Sequence, residues 1–125
     1  GLPVEMNPFD PETSCPNYWL SALVIDRSAM CRQVRSDNDA LYLPEQGKSC
    51  PTEILEAIAG INAEGRPIWK PMHMQPIYKN NDFITVREKP VDEDIFARGL
   101  CLPSDIKMTD EEQNKIIAIV RECLV

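Results

Sequence analysis

The sequence is poor in the residues that usually announce catalysis. It holds a single histidine, His73, and a metal site needs three or four ligands at suitable spacing. Its five glycines are dispersed, which excludes a glycine loop that cradles phosphate. The five cysteines, Cys15, Cys31, Cys50, Cys101 and Cys123, include no Cys-x-x-Cys pair, and their odd number and irregular spacing do not make a disulfide framework. They read as free thiols, most of them buried and inert, in a reducing cytoplasm. No stretch approaches the ~20 apolar residues of a membrane span, and the amino end has no basic region followed by an apolar one, as a signal peptide would. Basic charge is also short. Thirteen Lys and Arg against 20 Asp and Glu leave a net charge of −7, a surface that repels nucleic-acid phosphates. The nearest thing to a basic cluster, Arg27, Arg32 and Arg35, reads as a solvated face.

What is present is the material of one domain. The 125 residues are 43% hydrophobic, enough for a core and more than a disordered tail would carry. Prolines at 3, 8, 11 and 16 give residues 1–17 the character of an extended arm, with the folded unit at 18–125. The sequence opens without a methionine, and the arm is expected to join this unit to a longer protein. Residues 18–25 form an apolar, β-branched run that suits a strand covered on both faces. A short helix is expected within 26–35 and a polar connection over 36–49. Pro51 opens a clear helix whose Ile54, Leu55, Ile58 and Ile61 share one stripe, ended by Gly60 and Asn62. Residues 83–86 suggest a short strand or loop edge. Asp92 is placed to cap a helix that Gly99 stops, and Leu100-Cys101-Leu102 reads as a strand ended by Pro103. Thr109 and Glu112 form a capping box for a final helix that buries Ile116, Ile117, Val120 and Leu124. Helices and short strands alternate without a strict βαβ rhythm, so the fold class is α+β.

The chemistry that remains lies in residues 66–78. Three prolines there exclude a helix and a central strand, yet the segment holds Trp69, Met72, Met74, Ile77 and Tyr78, which are costly to leave in water. An extended segment or edge strand pinned by side-chain packing is expected. Strict alternation would send Trp69, Pro71 and His73 one way and Lys70, Met72 and Met74 the other. A Lys ammonium suits a phosphate, an imidazole suits a phosphate or hydroxyl, and Trp stacks on a base or sugar. The plainer reading makes Trp69 core, Lys70 solvated and His73 a partner of a backbone carbonyl. The acidic runs Asp92-Glu93-Asp94 and Asp110-Glu111-Glu112 read as charges that match helix dipoles.

Arg66-Pro67-Ile68-Trp69-Lys70-Pro71-Met72-His73-Met74-Gln75-Pro76 resembles the signature of the DegT/DnrJ/EryC1/StrS aminotransferases. Asn17-Tyr18-Trp19-Leu20-Ser21 resembles the first strand of that family's small domain. Asp94-Ile95-Phe96-Ala97-Arg98-Gly99-Leu100-Cys101-Leu102-Pro103-Ser104 resembles its closing strand, and Thr109-Asp110-Glu111-Glu112 the start of its final helix. The resemblance implies the carboxy-terminal small domain of a fold-type I transferase, with a short, mostly antiparallel sheet packed with helices. It implies a homodimeric, cytoplasmic parent that uses pyridoxal phosphate to move an amino group, commonly from glutamate, to a nucleotide-linked keto-sugar. It places the lysine that forms the cofactor's Schiff base in the large amino-terminal domain. None of Lys48, Lys70, Lys79, Lys89, Lys107 or Lys115 sits in that lysine's motif, so this piece alone is expected to bind no cofactor and to be inactive. The resemblance brings Lys70, then His73, then Trp69 to the mouth of the active site as substrate-binding residues. A sugar dehydratase of the same superfamily, or a free-standing binding domain, would share these features.

Overall fold

Leu23, Val24 and Ile25, three buried residues in succession, form the inner strand around which the rest is built. The computed structural model describes residues 1–36, 39–86, 88 and 90–125. Its strands are β1 (Val4–Met6), β2 (Ser21–Ile25), β3 (Arg32–Arg35), β4 (Ala40–Leu43), β5 (Arg66–Pro67) and β6 (Gly99–Leu102). Its helices are α1 (Pro51–Ala59), α2 (Val91–Arg98) and α3 (Asp110–Glu122). Four strands form an antiparallel sheet in the order β1-β2-β6-β5, and β3 and β4 form a separate hairpin. Leu23 pairs with Leu100 and Val24 with Gly99 across the two central strands. Leu23, Ile25 and Leu100 pack with Ile54 and Ile58 of α1 and with Ile116 and Val120 of α3 to make the core. Burying each of these side chains contributes roughly 1.5–3 kcal/mol relative to exposure. The result is a small α+β domain with an antiparallel sheet, as the pattern of elements indicated.

Several local expectations give way to packing. The arm is not wholly free, because Val4–Met6 pair with Leu23–Ile25, and Leu2 and Val4 rest on the core. Pro3 and Pro8 merely bracket this three-residue strand. The pairing is prolonged by Asn7, whose N–H donates to Ala22 O and whose Oδ1 accepts from Ala22 N. The strand expected from residue 18 begins only at Ser21. Tyr18 adopts φ 53°, and Trp19 N–H donates to Asn17 Oδ1, so the chain turns here and leaves Trp19 73% exposed. The helix expected within 26–35 is reduced to a 3₁₀ turn at Arg27–Ala29, after which β3 pairs with β4. Asp37 and Asn38, from the stretch expected to be a polar connection, lie outside the described residues.

Helix α1 begins as expected with Pro51 in its first turn, and buried Ser49 donates to Glu53 Oε2 at 2.7 Å. The helix closes at Ala59, so Ile61 falls outside its stripe and is exposed. Residues 83–86 form neither strand nor helix. Pro90, not Asp92, occupies the cap position of α2; Asp92 Oδ1 instead accepts from Glu93 N–H. The capping box of α3 forms as expected, with Thr109 N–H donating to Glu112 Oε2 at 2.8 Å. Ile117 turns partly to solvent while Ile116 and Val120 stay buried. No described helix is long and apolar enough to cross a membrane.

Candidate functional site

The proline-rich segment is not an extended strand. After the two residues of β5 it folds into 3₁₀ turns at Met72–Met74 and Pro76–Tyr78. Pro71 and Pro76 impose the φ that starts each turn, and Gln75 Nε2 donates back to Lys70 O at 3.2 Å. A 3₁₀ turn brings residues three apart onto one side. The expected alternation therefore fails: Lys70, His73 and Met74 line the same cleft, whereas Pro71 is buried and Trp69 stands 66% exposed outside the cleft's lining.

This cleft has a volume of about 620 Å³. One wall is the segment carrying Lys70, His73 and Lys79; the other is the β3–β4 hairpin with Arg35 and Asp39, floored by Phe96 of α2. Among the described lining residues Asp39 is the one carboxylate, set against Arg35, Lys70 and Lys79. A local excess of positive charge thus stands in a chain whose net charge is −7.

Arg35 is held firmly. Its guanidinium carbon lies 4.2 Å from the centre of the Phe96 ring, and its Nη1 donates to Phe96 O at 2.7 Å. Gln33, two residues earlier on the same face of β3, donates from Nε2 to Ala97 O at 2.6 Å. The hairpin is thereby pinned to carbonyls at the carboxyl end of α2, where a cation also suits the helix dipole. Burial lowers the proton affinity of the Arg35 guanidinium from its usual value, though an arginine stays charged at any physiological pH. Arg35 is therefore not part of a solvated face. Arg27 belongs elsewhere, in a 3.0 Å ion pair with Asp94.

His73 is oriented by carboxylates, not by a backbone carbonyl. Nε2 lies 2.8 Å from Glu93 Oε1, Nδ1 lies 3.7 Å from Asp92 Oδ2, and the ring stacks on Phe83 with centroids 3.6 Å apart. Its side chain is only 16% exposed. The acidic run of α2 does more than match a dipole: Glu93 holds His73, and Asp94 accepts from both Arg27 and Arg98. Arg98 also donates to Ile25 O, which fixes α2 to the central strand. The reading from sequence missed Arg35, Lys79 and Glu93 as members of this region. The contacts of Arg35 and Glu93 span 61 and 20 residues, so no local motif contained them.

The DegT/DnrJ/EryC1/StrS aminotransferase family matches residues 31–121, which takes in both walls of the cleft, and the chain belongs to that family. It is 41% identical over 71 residues to a protein of Bacillus subtilis (strain 168) named "Putative pyridoxal phosphate-dependent aminotransferase EpsN". The match covers 56% of this chain and 18% of that relative, so the chain corresponds to less than a fifth of its length.

Among the described residues no lysine lies in a closed, desolvated pocket of the kind that favours the neutral amine of a cofactor-carrying lysine. Lys48 is paired with Glu45 and Lys115 with Glu111, Lys107 is exposed, and Lys70 and Lys79 line an open cleft. Lys89 lies outside the described residues. Among the described residues no group of three or more His, Cys, Asp or Glu is arranged to hold a metal ion.

Proposed function

We propose that the chain is the carboxy-terminal part of a cytoplasmic aminotransferase that moves an amino group from glutamate to a nucleotide-linked keto-sugar. In this reading pyridoxal phosphate, which supplies the electron sink for the amino transfer, is held by the remainder of the parent protein. The chain's own contribution is to bind and orient the sugar nucleotide. Lys70 meets a phosphate of the ligand. His73, fixed by Glu93, lines the same cleft as the second contact. Trp69, exposed beside them, offers a ring face on which a sugar or base stacks.

The observation that carries this reading is the convergence of Lys70 and His73 on one cleft of about 620 Å³ in which, among the described residues, cations outnumber carboxylates. Family membership supports the amino transfer, and the volume is of the size that small-molecule sites occupy. The proline-braced backbone supports preorganisation, since a stiff segment loses less entropy when it meets a ligand. Exposed Trp19, Trp69, Ile77 and Ile84 support burial of this domain against the parent's large domain or a second subunit.

The test uses the full-length parent, incubated with glutamate and a nucleotide-linked keto-sugar and followed by mass spectrometry. An amino-sugar nucleotide is the expected product. Deoxygenation without nitrogen gain would mark a dehydratase and overturn the reading. Lys70→Gln in the parent should raise KM about tenfold or more, the value of a hydrogen bond to a charged group. The 125-residue chain mixed with pyridoxal phosphate should give no stoichiometric band beyond that of the free cofactor.

A further inference from the structure

We infer that the groove between the arm strand β1 and helix α3 is a binding site for a small uncharged aromatic molecule that carries one hydrogen-bonding group. Among the described residues this groove shares no lining side chain with the cleft of Lys70 and His73, and the inference does not depend on the function proposed above.

Three observations carry it. First, the fold leaves the groove open between two apolar surfaces. Val4 and Met6 share one face of β1, and the pairing of Met6 with Leu23 puts Leu23 and Ser21 of β2 on that same face. Ile116, Ile117 and Val120 of α3 stand opposite, and about 290 Å³ lies between the two surfaces. Met6 and Ile117 are left partly exposed at the rim, although such side chains are costly to leave in water. Second, the lining selects against charge. Among the described lining residues none is charged, in a chain of which 26% is, so an ion entering the groove would lose water without gaining a partner. Third, the groups that break the apolar lining suit a ring with a polar edge. Met6 and Met108 reach the groove from opposite sides of the fold, and methionine sulfur packs favourably against aromatic rings. Ser21 and Gln113 also line it, and among the described residues neither side chain has a hydrogen-bond partner. A mostly apolar slot with a few free polar groups is the usual make-up of a small-molecule site.

Size narrows the class further. An apolar cavity of about 150 Å³ holds one benzene ring, so the groove has room for one or two rings and not for a sugar nucleotide. A ring seated there would touch β1 and α3 together. The strand β1 has only three residues and lies at the edge of its sheet, paired on one side with β2. Occupancy would therefore stabilise the docked arm by mass action.

The experiment titrates the 125-residue chain, labelled with ¹³C at its methionine methyls, with indole. The five methionines are separate reporters, and Met6 and Met108 alone among them line the groove. The expected result is saturable shifts at Met6 and Met108 that exceed those at Met72 and Met74. Cyclohexanol, which has a hydroxyl but no aromatic face, and indole-3-acetate, which is charged, should each bind about threefold or more weakly than indole. Gln113→Ala and Ile117→Ala alter exposed positions of α3 and leave its buried Ile116 and Val120 in place, so the fold is kept. Each should weaken indole binding about threefold or more. Ile77→Ala, exposed outside the groove's lining, should leave it unchanged. Absence of saturable shifts at Met6 and Met108, equal shifts at all five methionines, or equal affinity for either comparison compound would each overturn the inference. Equal losses in Ile77→Ala and Ile117→Ala would do the same. So would a full-length parent in which indole moves neither Met6 nor Met108, because the protein itself would then fill the groove.

Discussion

Glu93 Oε1 lies 2.8 Å from His73 Nε2, and this contact joins the proline-braced segment to the first turn of α2. An ionised carboxylate only accepts hydrogen bonds, so Nε2 carries the proton. Asp92 Oδ2, 3.7 Å from the other ring nitrogen, is not placed to replace Glu93. Glu93→Ala would leave a largely buried N–H without its acceptor, and it is expected to cost about 1–3 kcal/mol in urea unfolding. His73 is the chain's one histidine, so the imidazole ¹⁵N spectrum reports its tautomer without ambiguity. An unchanged spectrum together with unchanged stability would show that Glu93 does not orient the ring.

Acid should attack the domain through Asp94. Hydrogen bonding from Arg98, then from Arg27, outweighs the opposing effect of burial and holds its carboxyl at about 2 instead of 3.8. The folded state binds this proton less readily than the unfolded state does. The ion pair's stabilisation is therefore fully present above about pH 4 and is lost as pH falls from there through about 2. The carboxylate is a quarter exposed, so the contribution is on the order of 1–2 kcal/mol after allowance for solvent screening. Asp94→Asn should flatten the acid limb of a stability-against-pH curve between those values. A variant whose acid limb matches that of the parent chain would contradict this role.

The elements legible in the sequence are those whose signals are local. Helix α3 shows its capping box and its apolar spacing within one short stretch, and α1 shows Pro51 and its isoleucines, so both appear as expected. The elements that escaped depend on distant partners. Strand β1 exists because Val4–Met6 find Leu23–Ile25, and the hairpin because Val34 meets Leu41; neither pairing is written in either partner alone. The candidate site divides in the same way. Lys70 and His73 were visible because they share one short proline-braced motif. Arg35 was not, because only the fold brings its strand to Phe96. The prolines that disclosed the segment also concealed its shape, since a φ near −65° serves a 3₁₀ turn as well as an extended chain.

Gly99 marks the junction of α2 and β6, and the demand there is for space. A Cβ at this position would stand 2.6 Å from Ile95 O and 2.8 Å from Ile68 Cγ1. The first contact is with backbone and cannot be relieved by a rotamer change. The second would push on the segment that leads to Lys70. Gly99→Ala is expected to cost about 1–3 kcal/mol or more, as overpacking of a close junction does. It should also weaken any ligand binding in the cleft, because Ile68 is two residues from Lys70. Thermal unfolding checks the first effect and the full-length parent's KM for the nucleotide-linked keto-sugar the second; a substitution neutral in both would show that the junction opens without strain.

The cysteines should react in an order set by burial. Cys15 is exposed, Cys31, Cys50 and Cys101 are buried, and Cys123 is partly covered. Burial first, then a hydrogen bond with the Cys50 thiol, pushes the Cys31 thiol up from 9.0 to about 12, and burial raises Cys101 and Cys123 as well. The thiolate is the nucleophile, so a thiol held protonated and away from solvent is doubly protected. Timed alkylation of the native chain near neutral pH should label Cys15 rapidly and Cys31 only as the domain opens, with mass spectrometry of the digested protein locating each adduct. The same shift has a thermodynamic side. The folded state retains the Cys31 proton more tightly than the unfolded state, so its contribution to stability is intact below about pH 9 and is lost as pH rises toward about 12. Cys31→Ala should remove that part of the alkaline decline. Labelling of Cys31 as fast as Cys15 in folded protein would show that the segment leading into β3 opens independently of the core.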